Sequence, residues 1–312
     1  MKFPFSVIAS ADFDVVGFGT NAVDFLIQVP NYPEFNSKVE LVDYEQAAGG
    51  EVATTMVGLQ RLGLKAAYSG RFGSDPSGDF GFRSLKEAGV DLEYAEQVAG
   101  ARTQIAFIII DVRDGERTVI WQRDAKLAYS AEEAPVGAIR RSRVLHFTPH
   151  DSDACVELAT EARSRGVIVS TDIDNVFDGI ETLLPLVDIL IASADFPKKL
   201  LGIGDHREAL AKLQSRFGCG VAGVTLGVAG SLLRCEGEFI ETPGFEAPGG
   251  CKDTTGAGDA FRVGLIYGLL KGETVETAAR MANAAAALKC RRVGARTALP
   301  DQSELRMLLK KA

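Results

Sequence analysis

Residues 253–259 read Asp253-Thr254-Thr255-Gly256-Ala257-Gly258-Asp259 and run at once into Ala260-Phe261 and a helix-like stretch. Small residues where a loop enters a helix leave first-turn N–H groups open. Together with the positive end of the helix dipole, these make a cradle for an anion such as phosphate. Gly256 and Gly258 let the backbone approach a ligand closely. A carboxylate beside such a cradle opposes phosphate. Asp259 therefore either has a task, such as taking the proton of an attacking hydroxyl, or is a plain helix-start acid. The turn alone does not decide between the two.

Other segments add candidates. The pair Gly49-Gly50 opens a helical pattern that ends at Arg61-Leu62-Gly63, again exposing N–H groups, here suited to a hydroxyl-rich or anionic ligand. Asn21 and Asp24 follow the strand-like Val15–Gly19, and both side chains pair well with vicinal hydroxyls, although both are also common turn residues. Thr225-Leu226-Gly227-Val228-Ala229-Gly230 supplies a further glycine-rich turn, or simply a hairpin bend into Leu232-Leu233-Arg234. Arg262, one helical turn past Asp259, and Arg123 are candidates to meet an anionic group; a salt bridge and a surface role are the respective alternatives.

The elements that must position these residues are legible as a rhythm. Val144–Phe147 precedes a helical stretch from Asp153 to Arg165, Val167–Ser170 precedes another, Asp188–Ile191 leads to Ala194–Leu201, and the Arg207–Phe217 helix leads to Gly223–Thr225. Strand–helix alternation predicts an α/β fold: a central, mostly parallel sheet with helices on both faces and ligands at the carboxyl ends of its strands. Two segments break the rhythm. Residues 25–45 lack helical periodicity, and 103–123 read as a hairpin turning at Arg113–Glu116. We expect them to form a separate small sheet serving as a lid or dimer clasp, the alternative being an antiparallel edge of the main sheet.

Length fits one domain spanning 1–312. A net charge of −8 speaks against nucleic-acid or anionic-membrane partners, because no basic field attracts phosphate backbones. Five scattered cysteines without a C-x-x-C pair point to free thiols in a reducing compartment, hence a cytoplasmic location. The apolar opening is short and broken by Pro4, so it reads as an N-terminal extension, and no stretch reaches the length of a membrane span.

Taken together, the motifs resemble those of the ribokinase-like (PfkB-type) carbohydrate kinases over nearly the whole chain. D-T-T-G-A-G-D-A-F is close to that family's C-terminal signature. A-G-G-E-V-A-T-T followed by R-L-G resembles the N-terminal one, Gly70–Asp75 and Gly78 follow the same pattern, and T-L-G-x-x-G from Thr225 looks like the nucleotide-side turn. The resemblance implies the ribokinase-like fold with a small β lid and ATP-dependent phosphorylation of a sugar hydroxyl. Asp259 would be the base, with N–H groups of Gly256, Ala257 and Gly258 forming an anion hole. Asp24, Gly49 and Gly50 would hold sugar hydroxyls, with Asn21, Thr54 and Arg123 as further substrate candidates from their own chemistry and placement, and Thr225, Gly227, Gly230 and Asn283 would border ATP. Mg²⁺ would travel with ATP, Asp253 and the backbone of 292–297 would form a loop for a monovalent cation such as K⁺, and the lid would join a homodimer.

Two departures bear on substrate. Thr54 stands where many relatives carry an Asn that touches the sugar. Ser193-Ala194-Asp195-Phe196 replaces the usual Asn-x-x-Glu, with Asp195 a partial substitute. Together with residues 286–296, similar to the sulfofructose-kinase-like branch, and a stretch that also varies in ketohexokinase-like proteins, they lean towards a ketose or acidic sugar. The rival readings are a nucleoside kinase, its base resting on Phe107 and Trp121, and a catalytically silent sugar-binding protein, disfavoured by the presence of Asp259 and its cradle.

Overall fold

The computed structural model describes residues 1–311. Its strands are β1 (Phe13–Phe18), β2 (Ala22–Val29), β3 (Asp43–Gly49), β4 (Ala66–Gly73), β5 (Ala95–Val98), β6 (Ile105–Asp111), β7 (Arg117–Gln122), β8 (Ser142–Phe147), β9 (Ile168–Ile173), β10 (Ile189–Ser193), β11 (Val221–Thr225), β12 (Ser231–Cys235) and β13 (Glu238–Thr242). The helices are α1 (Glu51–Arg61), α2 (Pro76–Glu87), α3 (Val136–Ile139), α4 (Ser152–Ser164), α5 (Ile180–Leu183), α6 (Phe196–Leu201), α7 (His206–Phe217), α8 (Ala257–Leu270), α9 (Val275–Lys289) and α10 (Gln302–Lys311).

Nine strands form the main sheet in the order β13-β12-β11-β10-β9-β8-β1-β4-β5, parallel from β11 through β5 and antiparallel at the β11–β12–β13 edge. Alternation along each strand feeds two cores. Val15, Val144, Ile168, Ile189 and Ile191 pack under α1, α8 and α9, while Val16, Leu145, Val169, Leu190 and Ala192 pack under α4 and α7. Strand β1 sits between β4 and β8, so the chain order reverses there. The crevice outside the carboxyl ends of such strands is where open α/β sheets take their ligands.

A second sheet stands apart, with order β3-β2-β6-β7. The segments near 25–45 and 103–123 meet in it through the parallel pairing of β2 with β6, and its strands run further than the sequence suggests, from Ala22 and to Gly49. Register fixes which way each side chain looks. Asp24 lies opposite Ala47 and Ala106, and Ala106 opposite Trp121, on the face that buries Leu26, Ile108 and Ile110. Phe25, Phe107 and Ile120 share the other face, where Phe25 and Phe107 stack at 5.2 Å.

Candidate active site

Helix α8 begins beneath the cleft between the two sheets. Gly256, at φ 79°, caps it in the left-handed region, and a Cβ there would stand 2.9 Å from both Cα and O of Ala295, so glycine is required. Of the three expected anion-hole donors, Ala257 is engaged within the turn. Its N–H closes the turn onto the Thr254 carbonyl at 3.1 Å. The N–H groups of Gly256, Gly258 and Asp259 have no acceptor among the described residues, as the first turn of a helix dictates.

Asp259 is buried at the third position of α8. Burial pushes its carboxyl well above the usual range, Asp172 and Glu51 add like charge, and Arg262 and Arg117 partly offset them. Asp172 is likewise pushed up to about 7, by burial first and then Glu51 and Asp174, despite Arg262. Glu51, a third exposed to the cleft, rises to about 7 through lost hydration and the nearby Asp174. Glu51, Asp172 and Asp174 were missed by sequence reasoning. A helix-start acid is commonplace, but Asp172 stands at the carboxyl end of the parallel strand β9 with Asp174 just past it, two residues on. That spacing was the available signal.

Arg262 is committed rather than free. It pairs with Asp172 at 2.5 Å and donates to the Ile191 carbonyl at 3.2 Å, which answers the choice between substrate contact and salt bridge in favour of the bridge. Arg123 is paired too: it holds Asp151 through both terminal nitrogens at 2.8 and 2.7 Å and the Leu127 carbonyl at 3.0 Å, so its guanidinium offers an anionic substrate little.

Asp24, expected to hold sugar, is buried against the glycine pair. A Cβ on Gly49 would lie 1.9 Å from its Oδ2, and one on Gly50 (φ 88°) would lie 2.4 Å from the Asn21 Cα. The Asn21 amide nitrogen donates to the Tyr68 hydroxyl at 2.7 Å and the Arg71 carbonyl at 2.9 Å, which fixes its rotamer and leaves Oδ1 buried without a described partner. Loss of hydration raises Asp24 to about 6, partly offset by Arg296. Thr54 is fully buried, and its hydroxyl accepts from Arg296 Nε at 3.4 Å. Arg296, missed as a side chain, donates to the Gly49 carbonyl and braces the glycine pair from behind.

The turn expected on the nucleotide side spans Leu226–Gly230, and β11 and β12 on either side of it pair antiparallel; the glycine turn and the hairpin bend are one object. Gly230, at φ 99°, lies so close to the next strand that a Cβ would sit 2.1 Å from the Thr242 carbonyl. Thr225 ends β11 at the rim, and Gly227 takes φ 59°. Asn283 is buried, its amide donating to Ser231 Oγ at 3.1 Å and the carbonyls of Thr242 and Pro243 at 3.1 and 3.3 Å. It fixes the wall beside the turn instead of presenting a free donor. Asp195 points into a pair with Lys199 at 2.7 Å, and Phe196 is buried in the core, so neither restores the Asn-x-x-Glu carboxylate.

Beyond Asp24 and Gly49, the β6–β7 hairpin of the small sheet meets the site at two further places. Trp121 stands edge-on to His150 at 6.1 Å, and His150 packs on Phe177 at 4.9 Å. At the β6–β7 turn the Gly115 carbonyl accepts from the Thr254 N–H and hydroxyl at 3.3 and 3.2 Å, and Arg117 donates to the Thr254 hydroxyl at 2.8 Å. Phe107 looks away from the cleft, so of the expected aromatic shelf Trp121 remains.

Comparison with known proteins agrees with this geometry. The chain is 31% identical over 277 residues to an ATP-dependent ribose-1-phosphate kinase of Halopiger xanaduensis, covering 88% of this chain and 91% of that one. It is 27% identical over 309 residues to a nucleoside kinase of Methanothermobacter thermautotrophicus, covering 95% of each. Its fold superposes on Arabidopsis thaliana ribokinase, solved with ribose and ATP, with a TM-score of 0.80 at 24% identity, covering 96% of this chain and 99% of that one. Residues 13–302 match the pfkB family of carbohydrate kinases, and the chain belongs to that family of ATP-dependent sugar-phosphorylating enzymes.

Proposed function

We propose that the chain transfers the γ-phosphoryl group of ATP to a hydroxyl of a small ketose or sugar acid, with Asp259 as the base. The observation that carries this reading is Asp259 itself: buried, raised in proton affinity, and set beside three open N–H groups. As the hydroxyl oxygen bonds to phosphorus and the bond to the ADP oxygen breaks, Asp259 accepts the hydroxyl proton. The N–H groups of Gly256, Gly258 and Asp259 gather the equatorial charge. Asp24 and the Asn21 Oδ1 orient vicinal hydroxyls over Gly49 and Gly50, and Thr225, Gly227 and Gly230 border the nucleotide. Glu51 and Asp172 are raised in proton affinity by burial and like charge, with Asp174 as a further carboxylate beside them. The Mg²⁺ that accompanies ATP supplies neutralisation of phosphate charge and would be held largely by the phosphates and water. The small sheet serves as the lid. Its outer face, with Phe107, Ile120 and Tyr44 exposed, is the contact for a homodimer. Five free cysteines fit a cytoplasmic setting, and no described helix is long and apolar enough to cross a membrane.

A nucleoside acceptor is the second reading, supported by Trp121 beside His150 and by the nucleoside kinase among the relatives. An ATP-consumption screen over ketoses, sugar acids, sugar phosphates and nucleosides separates the two by kcat/KM. In Asp259→Asn we expect kcat to fall about 10²- to 10⁴-fold with sugar and ATP affinities nearly unchanged. A near wild-type rate would remove Asp259 from the role of base.

A further inference from the structure

The Asp253 loop, which the family resemblance assigns to a monovalent cation, holds a cation of the chain's own. Lys289, at the end of α9, sends its ammonium to the Asp253 main-chain carbonyl at 2.8 Å and to Asp253 Oδ2 at 3.5 Å. Both side chains have 0% exposure. The remaining valences of the carboxylate are also met: Oδ1 accepts from the Thr255 N–H and Oδ2 from the Gly294 N–H, each at 2.8 Å. An ammonium with no access to water persists only where matched charge and hydrogen bonds replace its hydration. Here they do, through two oxygens of Asp253, the residue to which the resemblance assigns the cation.

The pair sits where three segments meet. The Lys252 N–H donates to the Cys290 carbonyl at 2.8 Å, joining the signature loop to the end of α9. Gly294 belongs to the 291–297 loop, whose Ala295 lies against Gly256 and whose Arg296 braces Gly49. The positive charge at Asp253 thus steadies the helix start that carries the anion cradle and, through the loop, the glycine pair.

We propose that the Lys289 ammonium is a built-in counter-ion that stands in for a monovalent cation at the Asp253 loop, so that this kinase works without K⁺. Lys289 is a positioning residue, since it acts through the loop and touches no reacting atom. The inference rests on the kinase activity of the family and is independent of the roles assigned to Asp259 and Asp24.

The test compares the purified chain in choline chloride with KCl at equal ionic strength. Wild-type initial rates and thermal midpoints are expected to agree between the two salts, with rates within about twofold. A wild-type rate rising about tenfold or more with K⁺, or a midpoint raised by K⁺ over choline, would overturn the proposal. In Lys289→Met, the rate in choline is expected to fall about tenfold or more, with partial recovery of both rate and midpoint in KCl or NH₄Cl. A folded Lys289→Met with wild-type rate in both salts would equally overturn it. Should that variant not fold, the two wild-type comparisons still decide.

Discussion

At the scale of single residues, the site is governed by unbalanced negative charge. Asp259, Asp172 and Glu51 each bind a proton more tightly than a free carboxyl, because burial and like neighbours disfavour ionisation. A base with a raised pKa loses function as pH falls through that value, so the acidic limb of kcat/KM should lie above the usual carboxylate range. Removing one negative neighbour lowers the pKa of Asp259. In Glu51→Gln the acidic limb is therefore expected to move to lower pH, by about half to one unit. A pH–rate profile whose acidic limb stays in place would show that Glu51 does not sense Asp259. Legibility divides along the same line. Asp259, Gly256 and Gly258 are consecutive enough to announce themselves. Glu51, Asp172 and Arg296 acquire meaning only when strands and helices far apart in sequence bring them together. Thr54 and Arg123 were expected at the substrate on position alone. Packing buried the first behind the glycine pair, and Asp151 claimed the second.

At the scale of elements, the start of α8 separates two glycines that look equivalent in sequence. Gly256 occupies the left-handed region against Ala295, whereas Gly258 is helical and a Cβ there meets only the Arg262 Nη1, at 2.9 Å. Gly256→Ala is expected to cost about 1–3 kcal/mol of stability from its backbone conformation alone. Gly258→Ala should leave the thermal midpoint nearly unchanged while lowering kcat, since it nudges Arg262 against Asp172 beside the base. Melting curves together with kcat check both, and equal loss of midpoint in the two variants would contradict this account. The alternation of strands and helices was readable because hydrophobic period changes at each junction. The exact reach of β2 and β3 was not, since Asp24 is charged and Gly49 has no side chain, and both mask the strand pattern.

At the scale of the molecule, the small sheet has two unlike faces. The inner one buries Leu26, Ile108 and Ile110, whereas the outer one leaves Phe107, Ile120 and Tyr44 in water. If two copies meet there, Phe107→Asp with Ile120→Asp should convert a dimer to a monomer in sedimentation velocity, with an unchanged melting profile of the main sheet. Dimers persisting in the double variant would place the contact elsewhere. That the two segments share one sheet was foreseeable from their broken rhythm. Which face turned inward was not, because the choice depends on register between β2 and β6, a pairing across about eighty residues of chain.

The turn at Gly115 rests on Thr254, one residue past the Asp253–Lys289 pair and two before the cap of α8. The Thr254 amide proton is thereby shielded by the small sheet alone. Its exchange with solvent deuterium becomes a native gauge of how often that sheet lifts, read at the doorstep of the phosphoryl cradle without any attached label.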